Sequence, residues 1–261
     1  MLTKHPRRRT AMPPVIPGLD TTDRLVVGIS EMQESYRGLK TDKAQGASSF
    51  KYEYLITLSP TVPFVGDTAR QVLESHAWLA SSFANGDLPP WFYFVFCDAR
   101  CVPLRKCAAQ VGVAEAARPI GISCALRRGL TKGVFLNKGL RSEIEEYFFP
   151  QQLEVLVSVG GTKLIFEMRE LLENPHFRIA GSDIYNAFNE GDRAEMVARS
   201  LVSSLGLAPL ARLFYATLAP KYPIFVTGKG GGLAPMGRDG ETGVAQRSVE
   251  AGVTFAISIH P

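Results

Sequence analysis

A short alternating segment that runs into a capped helix constrains this chain more than any other feature. In 177–184, Phe177, Ile179, Gly181 and Asp183 share one side of an extended strand, because successive side chains point to opposite faces. Asp192 and Glu195 then form a capping-box pattern that opens a helix to about Ser204, ended by Gly206. Between strand and helix, the segment Gly-Ser-Asp-Ile-Tyr-Asn-Ala-Phe-Asn-Glu-Gly-Asp-Arg at 181–193 carries one carboxylate, Asp183, and an aromatic five residues later, Phe188. A lone aspartate at a strand-to-helix turn is ordinarily a cap or turn residue. An aromatic there is as readily a core residue of the turn as a ligand contact.

The periodicity elsewhere gives a mixed picture. A helix is expected over 68–84, capped by Asp67, with Ala69, Val72, Leu73, Ala77, Ala80 and Phe83 on one face. Asn85-Gly86 ends it and Pro89-Pro90 blocks continuation. Extended segments are expected at 91–97 and 100–104. A helix follows over 123–138, weakened by Gly129 and Gly133. Further helices are read at 162–173 and 209–218, and a hairpin or long loop around Lys229-Gly230-Gly231-Gly232. That glycine run lacks the G-x-x-x-x-G-K-[ST] spacing of a phosphate loop. Strands and helices without strict alternation argue for an α+β fold.

The 261 residues are ample for a real core, and 46% apolar with 21% charged is ordinary for a globular chain. Net charge is +4, which leans towards an anionic partner. Lys4, Arg7, Arg8 and Arg9, followed by Pro13, Pro14 and Pro17, read as a solvated basic tail, and 1–43 is expected to be disordered. The longest fully apolar run, Trp91 to Cys97, has seven residues, too short for a membrane span. No signal peptide is indicated at the start. Cys97, Cys101, Cys107 and Cys124 lack paired C-x-x-C spacing, so reduced thiols are favoured over a zinc site. The chain is therefore expected inside the cell, nuclear or cytoplasmic. On a helix over 123–138, Arg127, Arg128, Lys132 and Lys138 fall within an arc of roughly 140°. Such an arc suits a phosphate backbone or an ordinary solvated face.

Asp-x-x-Asn-Ala-Phe-Asn followed by Asp-Arg is similar to the first catalytic motif of reverse transcriptases, in particular those of non-LTR retrotransposons. Other pieces stand in the same order. Residues 46–55 resemble the segment leading into that family's fingers, and Leu88-Pro89-Pro90-Trp91 the end of the following helix. Val102-Pro103-Leu104-Arg105-Lys106 and Ala117-Arg118-Pro119-Ile120-Gly121-Ile122 resemble its fingers strand pair. Gln151-Gln152-Leu153 and Gly160-Gly161-Thr162 are similar to its link into the helix before the motif, although Lys163 stands where an acidic residue is common. Ser248, Gly252 and Val253 are similar to the start of the next palm motif, but its central Gln-Gly-Asp/Cys-Pro-Leu-Gly is not present.

The resemblance implies the fingers (44–150) and partial palm (151–261) of a right-hand polymerase. The implied reaction is template-directed DNA synthesis on an RNA or DNA template-primer, with deoxynucleotide triphosphates and Mg²⁺. It makes Asp183 a metal ligand, with the Ile184 carbonyl as a second oxygen, and Phe188 the aromatic beneath the sugar. Lys106 and Arg118 match the cations near the triphosphate, where charge builds as the bond breaks. Two metals need more than one carboxylate. The family's downstream Asp-Asp pair would lie beyond Pro261, so these residues alone are expected not to polymerise, and apolar surface is expected to be left open. The alternatives are a nucleic-acid-binding remnant and a pseudogene product. No protein partner is identifiable.

Overall fold

The computed structural model describes residues 12, 16–59, 67–105, 117–153, 155, 159–181, 184, 187–202, 206–227, 231–236, 243–244 and 248–260; for 104–105 and 117–119 it describes the backbone alone. The described residues form eleven α-helices and a four-stranded mixed sheet, an α+β arrangement.

Helix α3 (Asp67–Ala84) is the central pillar, and the apolar residues at helical spacing explain why. Leu73, Ala77, Ala80 and Phe83 are buried, as expected for 68–84. Helix α1 (Ile29–Arg37) and α5 (Ala125–Phe135) pack against it and against each other. The two glycines that weaken α5 as an isolated helix are the points of closest approach. A Cβ on Gly129 would stand 2.6 Å from Tyr36 Cε1, and one on Gly133 2.7 Å from Met32 Sδ. Ser35 Oγ seals the contact by donating to the Gly129 carbonyl at 2.6 Å.

Several residues of 16–43 belong to this core, which corrects the reading of a disordered tail over that stretch; 1–11 and 13–15 lie outside the described residues. Ile16, Leu25, Val27, Met32 and Tyr36 are all buried in it. Met32 and Tyr36 stand four apart, a helical signal that the surrounding polar residues obscure. Between α1 and α3 lies a short helix, α2 (Tyr52–Ile56), which turns Tyr52 and Leu55 inward.

Residues 91–97 are also corrected, from strand to helix. Helix α4 (Pro90–Phe96) begins with Pro90 at its first position, where a missing N–H costs nothing. A continuous apolar run cannot distinguish strand from helix by alternation. Here the ring contacts decide: Phe83 meets Tyr93 at 5.6 Å and Phe96 at 5.5 Å between centroids. Tyr93 donates its hydroxyl to the Phe83 carbonyl at 3.1 Å, satisfying an orphan acceptor at the end of α3.

Strands β1 (Ala99–Arg105) and β2 (Ala117–Ile122) pair antiparallel, with Arg100 opposite Ile122 and Leu104 opposite Arg118. Strand β3 (Ile224–Thr227) runs parallel to β1, and β4 (Leu233–Pro235) antiparallel to β3, giving the order β2-β1-β3-β4. The β3–β4 hairpin flanks the expected glycine-rich tip, of which 228–230 lie outside the described residues.

The helix expected over 123–138 divides in two. Helix α5 stops at Phe135, and α6 (Lys138–Phe148) restarts with the Asn137 side chain accepting from Leu140 N–H at 3.1 Å. Lys138 therefore does not share a helix with Arg127, Arg128 and Lys132. Helix α7 (Gly160–Glu173) matches the expectation at 162–173 but turns Leu164, Ile165, Phe166, Leu171 and Leu172 to solvent.

The strand expected over 177–184 is not formed among its described residues, 177–181 and 184, which are exposed and unpaired with the sheet. Alternation makes one face apolar but supplies no neighbouring strand, and Phe177 and Ile179 stay exposed. After a short turn of helix, α8 (Ala187–Glu190), Asp192 caps α9 (Arg193–Val202) as read from the sequence. Its Oδ1 accepts from Ala194 N–H at 2.8 Å and from Glu195 N–H at 3.3 Å. Helices α10 (Ala208–Leu218) and α11 (Ala251–Ile259) complete the core on the α9 side.

Candidate nucleic-acid interface

Helix α5 carries its two sequence-adjacent arginines in opposite directions. Arg127 points into the protein and Arg128 towards a cleft, because neighbours on a helix are separated by about 100°. The cleft has a volume of about 750 Å³ and is lined by Lys40, Lys43, Arg128, Lys132 and Arg141. No carboxylate is among its described lining residues. One side comes from the segment joining α1 to α2, the other from α5 and the start of α6. Ile122 and Ser123, at the end of β2, and Ser248 and Val249, before α11, complete the lining.

Lys132 holds its ammonium partly inside the protein, 3.4 Å from the Ser35 carbonyl. Burial lowers its pKa, Glu34 opposes that fall, and Arg128 adds to it. A cation under these conditions gains from an incoming anion more than a fully solvated lysine does. At the cleft floor, Tyr52 and Phe135 are nearly closed to solvent, so the exposed chemistry is cationic rather than aromatic. Cationic side chains of this kind are suited to phosphate contacts rather than to base edges.

The sequence-predicted cations separate on this structure. Arg128 and Lys132 line the cleft, whereas Lys138 begins α6 on an exposed turn and is not in the lining. Arg127 is corrected: it is 4% exposed and lies on no solvent-facing arc. Its Nη2 donates to Glu250 Oε1 at 2.5 Å. Burial alone would depress the guanidinium pKa, but Cys97, Glu250 and Tyr222 more than offset it, and the group stays charged. Asp98 is near enough for Arg127 to restrain a carboxyl pKa that burial raises. Arg118 sits in β2, four residues upstream of the cleft edge at Ile122, with its backbone alone described. Lys106 and Asp183 lie outside the described residues. Ile184 is described and exposed.

Phe188 is half-buried, its ring tilted by 34° against Phe255 of α11 at 5.0 Å between centroids. Its carbonyl accepts from Val244 N–H at 2.7 Å, while Gly243 N–H donates to the Gly191 carbonyl at 2.9 Å. Only glycine fits at 243, where φ is +60° and a Cβ would come within 2.0 Å of the Phe188 oxygen. The segment around Phe188 and the segment leading to Ser248 are thereby brought together in space.

Sequence reasoning missed three of the five cleft cations. Lys40 and Lys43 had been absorbed into the tail, and Arg141 stood beyond the assumed end of α5. It also missed Glu250 and the buried Arg193, whose side chains reach partners remote in sequence, such as Arg127 and Gly243, that leave no local pattern. Among the described residues, no group of three or more His, Cys, Asp or Glu side chains is arranged to hold a metal ion. No helix among them is long and apolar enough to cross a membrane. Comparison with protein-family models and with curated proteins gives no match.

Proposed function

We propose that these residues form the fingers and front palm of a reverse transcriptase-like domain that engages an RNA or DNA template-primer. The reaction it belongs to is deoxynucleotide addition to a primer 3′-end with Mg²⁺. One observation supports this reading: the backbone pairing of 188–191 with 243–244 ties the segment that resembles the first catalytic motif to residues a few positions before Ser248, where the second resemblance begins. In the same reading, Asp183 and the Ile184 carbonyl hold metal, Phe188 lies beneath the sugar, and Lys106 and Arg118 meet the triphosphate.

A primer-extension assay with Mg²⁺ or Mn²⁺ tests the catalytic part. These 261 residues are expected to incorporate nothing, because the matched motifs supply one carboxylate to a reaction that uses two metals. Incorporation that disappears in Asp183→Ala would establish the enzyme and overturn the expectation of inactivity.

The cleft favours a second reading, a nucleic-acid-binding remnant without catalysis. Five cations around one concavity, with no described carboxylate among them, suit a phosphate backbone whatever its sequence. Binding of short RNA and DNA strands should weaken steeply with salt and vary little with sequence. Salt-insensitive or undetectable binding would remove this reading.

A further inference from the structure

We propose that the buried Arg127–Glu250 ion pair is a positioning element that fixes α5 against the 248–249 part of the basic cleft's lining, and with it the grip on a phosphate-bearing strand. The inference rests on the cleft-binding reading above.

Arg127 is one residue from Arg128, a cleft cation on α5, and Glu250 is one residue from Val249 in the 248–249 part of the lining. The pair thus ties these two parts of the lining together from behind. Among the described residues no backbone hydrogen bond joins α5 to 248–250. A side-chain contact from Arg127 Nη2 to Glu250 Oε1 does.

Its form also argues for position over stability. Guanidinium and carboxylate can meet through two parallel bonds, yet here Arg127 Nε and Glu250 Oε2 are both buried with no hydrogen-bond partner. Ser248 Oγ, beside the cleft, is buried and unpartnered as well. A buried ion pair with unsatisfied atoms is an expensive way to hold a core, and well-packed apolar side chains of similar volume often hold it as well or better. What apolar side chains do not supply is a fixed separation enforced by direction and charge. With that separation held, α5, which carries Arg128 and Lys132, keeps its place beside Ser248 and Val249 in one lining.

The test uses the whole chain and a labelled oligouridine as probe. In Arg127→Met with Glu250→Leu, unfolding in urea should stay cooperative with an equal or higher midpoint, while affinity for the probe falls roughly tenfold. Arg127→Lys keeps a single donor for Oε1, so its affinity should stay within about twofold of the parent. A folded double variant that binds as tightly as the parent would overturn the proposal. Amide hydrogen exchange separates this outcome from failure of the cleft reading. Even if the parent binds no oligouridine, the double variant should exchange faster over 248–254 by about tenfold with α3 unchanged. Unaltered protection there would also overturn it.

Discussion

Arg193 and Gly243 are joined by a charge-assisted hydrogen bond, 2.7 Å from Nε to the carbonyl oxygen. The same guanidinium donates to the Leu218 and Pro220 carbonyls at 3.0 and 3.3 Å and lies 4.9 Å from the Tyr222 ring centroid. One side chain at the start of α9 therefore fixes three chain segments, including the one that pairs with Phe188. Arg193→Met should cost about 3 kcal/mol, because each buried acceptor left without a donor costs about 1–3 kcal/mol. Arg193→Lys should recover less than half, since an ammonium cannot reproduce the planar fork. Urea unfolding measures both, and a loss below about 1 kcal/mol for Arg193→Met would contradict this account.

How much of this was readable beforehand divides along physical lines. Helices α3, α7, α9 and α10 were legible because each carries a 3.6-residue pattern or a terminal cap within its own sequence. The strand at 177–184 was not, since pairing depends on a neighbour that local alternation cannot guarantee. Residues 91–97 were misread because an unbroken apolar run fits both periods. At the site, Arg128 and Lys132 were legible as a helical arc. Arg127 was not separable from them, because its burial is decided by Glu250, 123 residues away. Lys40 and Lys43 reach the cleft only through the tertiary packing of α1 on α5.

The α1–α5 contact makes a prediction that runs against helix propensity. Alanine is better than glycine in a helix interior by about 1 kcal/mol. Gly129→Ala should nonetheless destabilise by about 1–3 kcal/mol, the usual range for overpacking. The Tyr36 ring it would strike cannot move aside, being held by a 2.7 Å hydrogen bond to His76 Nδ1. Gly133→Ala should cost less, because Met32 is flexible. Gly161→Ala in α7 is the control: a Cβ there meets nothing within 4 Å, and stability should rise by about 0.5–1 kcal/mol. Thermal or urea unfolding of the three variants checks the order, and a stabilised Gly129→Ala would refute the close packing.

Cys97 is fully buried, and burial pushes its thiol from 9.0 up to about 11. The folded state then keeps its proton where the unfolded state releases it. This contribution to stability is complete below pH 9 and is lost as pH rises towards about 11. Over that window stability should fall by about 1.4 kcal/mol per pH unit from this group. Cys97→Ala should flatten the alkaline slope measured by urea unfolding at successive pH values. The native thiol should also resist alkylation at pH 8, where free thiols in unfolded chain react readily. An unchanged slope in Cys97→Ala would show that another group governs alkaline unfolding.

Lys132 allows stability and binding to be separated in one substitution. Its ammonium is partly withdrawn from water, and the fall in pKa means that holding the charge is less favourable in the folded chain than in the unfolded one. Lys132→Met keeps the apolar stem and removes that cost, so stability should be unchanged or rise by less than about 1 kcal/mol. The same change deletes a cleft cation. Affinity for short RNA should drop, and the slope of log affinity against log salt should become shallower by about one. Lys138→Met, outside the cleft lining, should leave both the affinity and the slope near their parental values. Fluorescence anisotropy across a salt series reads the binding effect, and urea unfolding the stability effect. A drop in affinity with stability kept or raised follows only if the residue is held in the cleft for an anion rather than for the fold. Equal loss of both in Lys132→Met would assign it to structure alone.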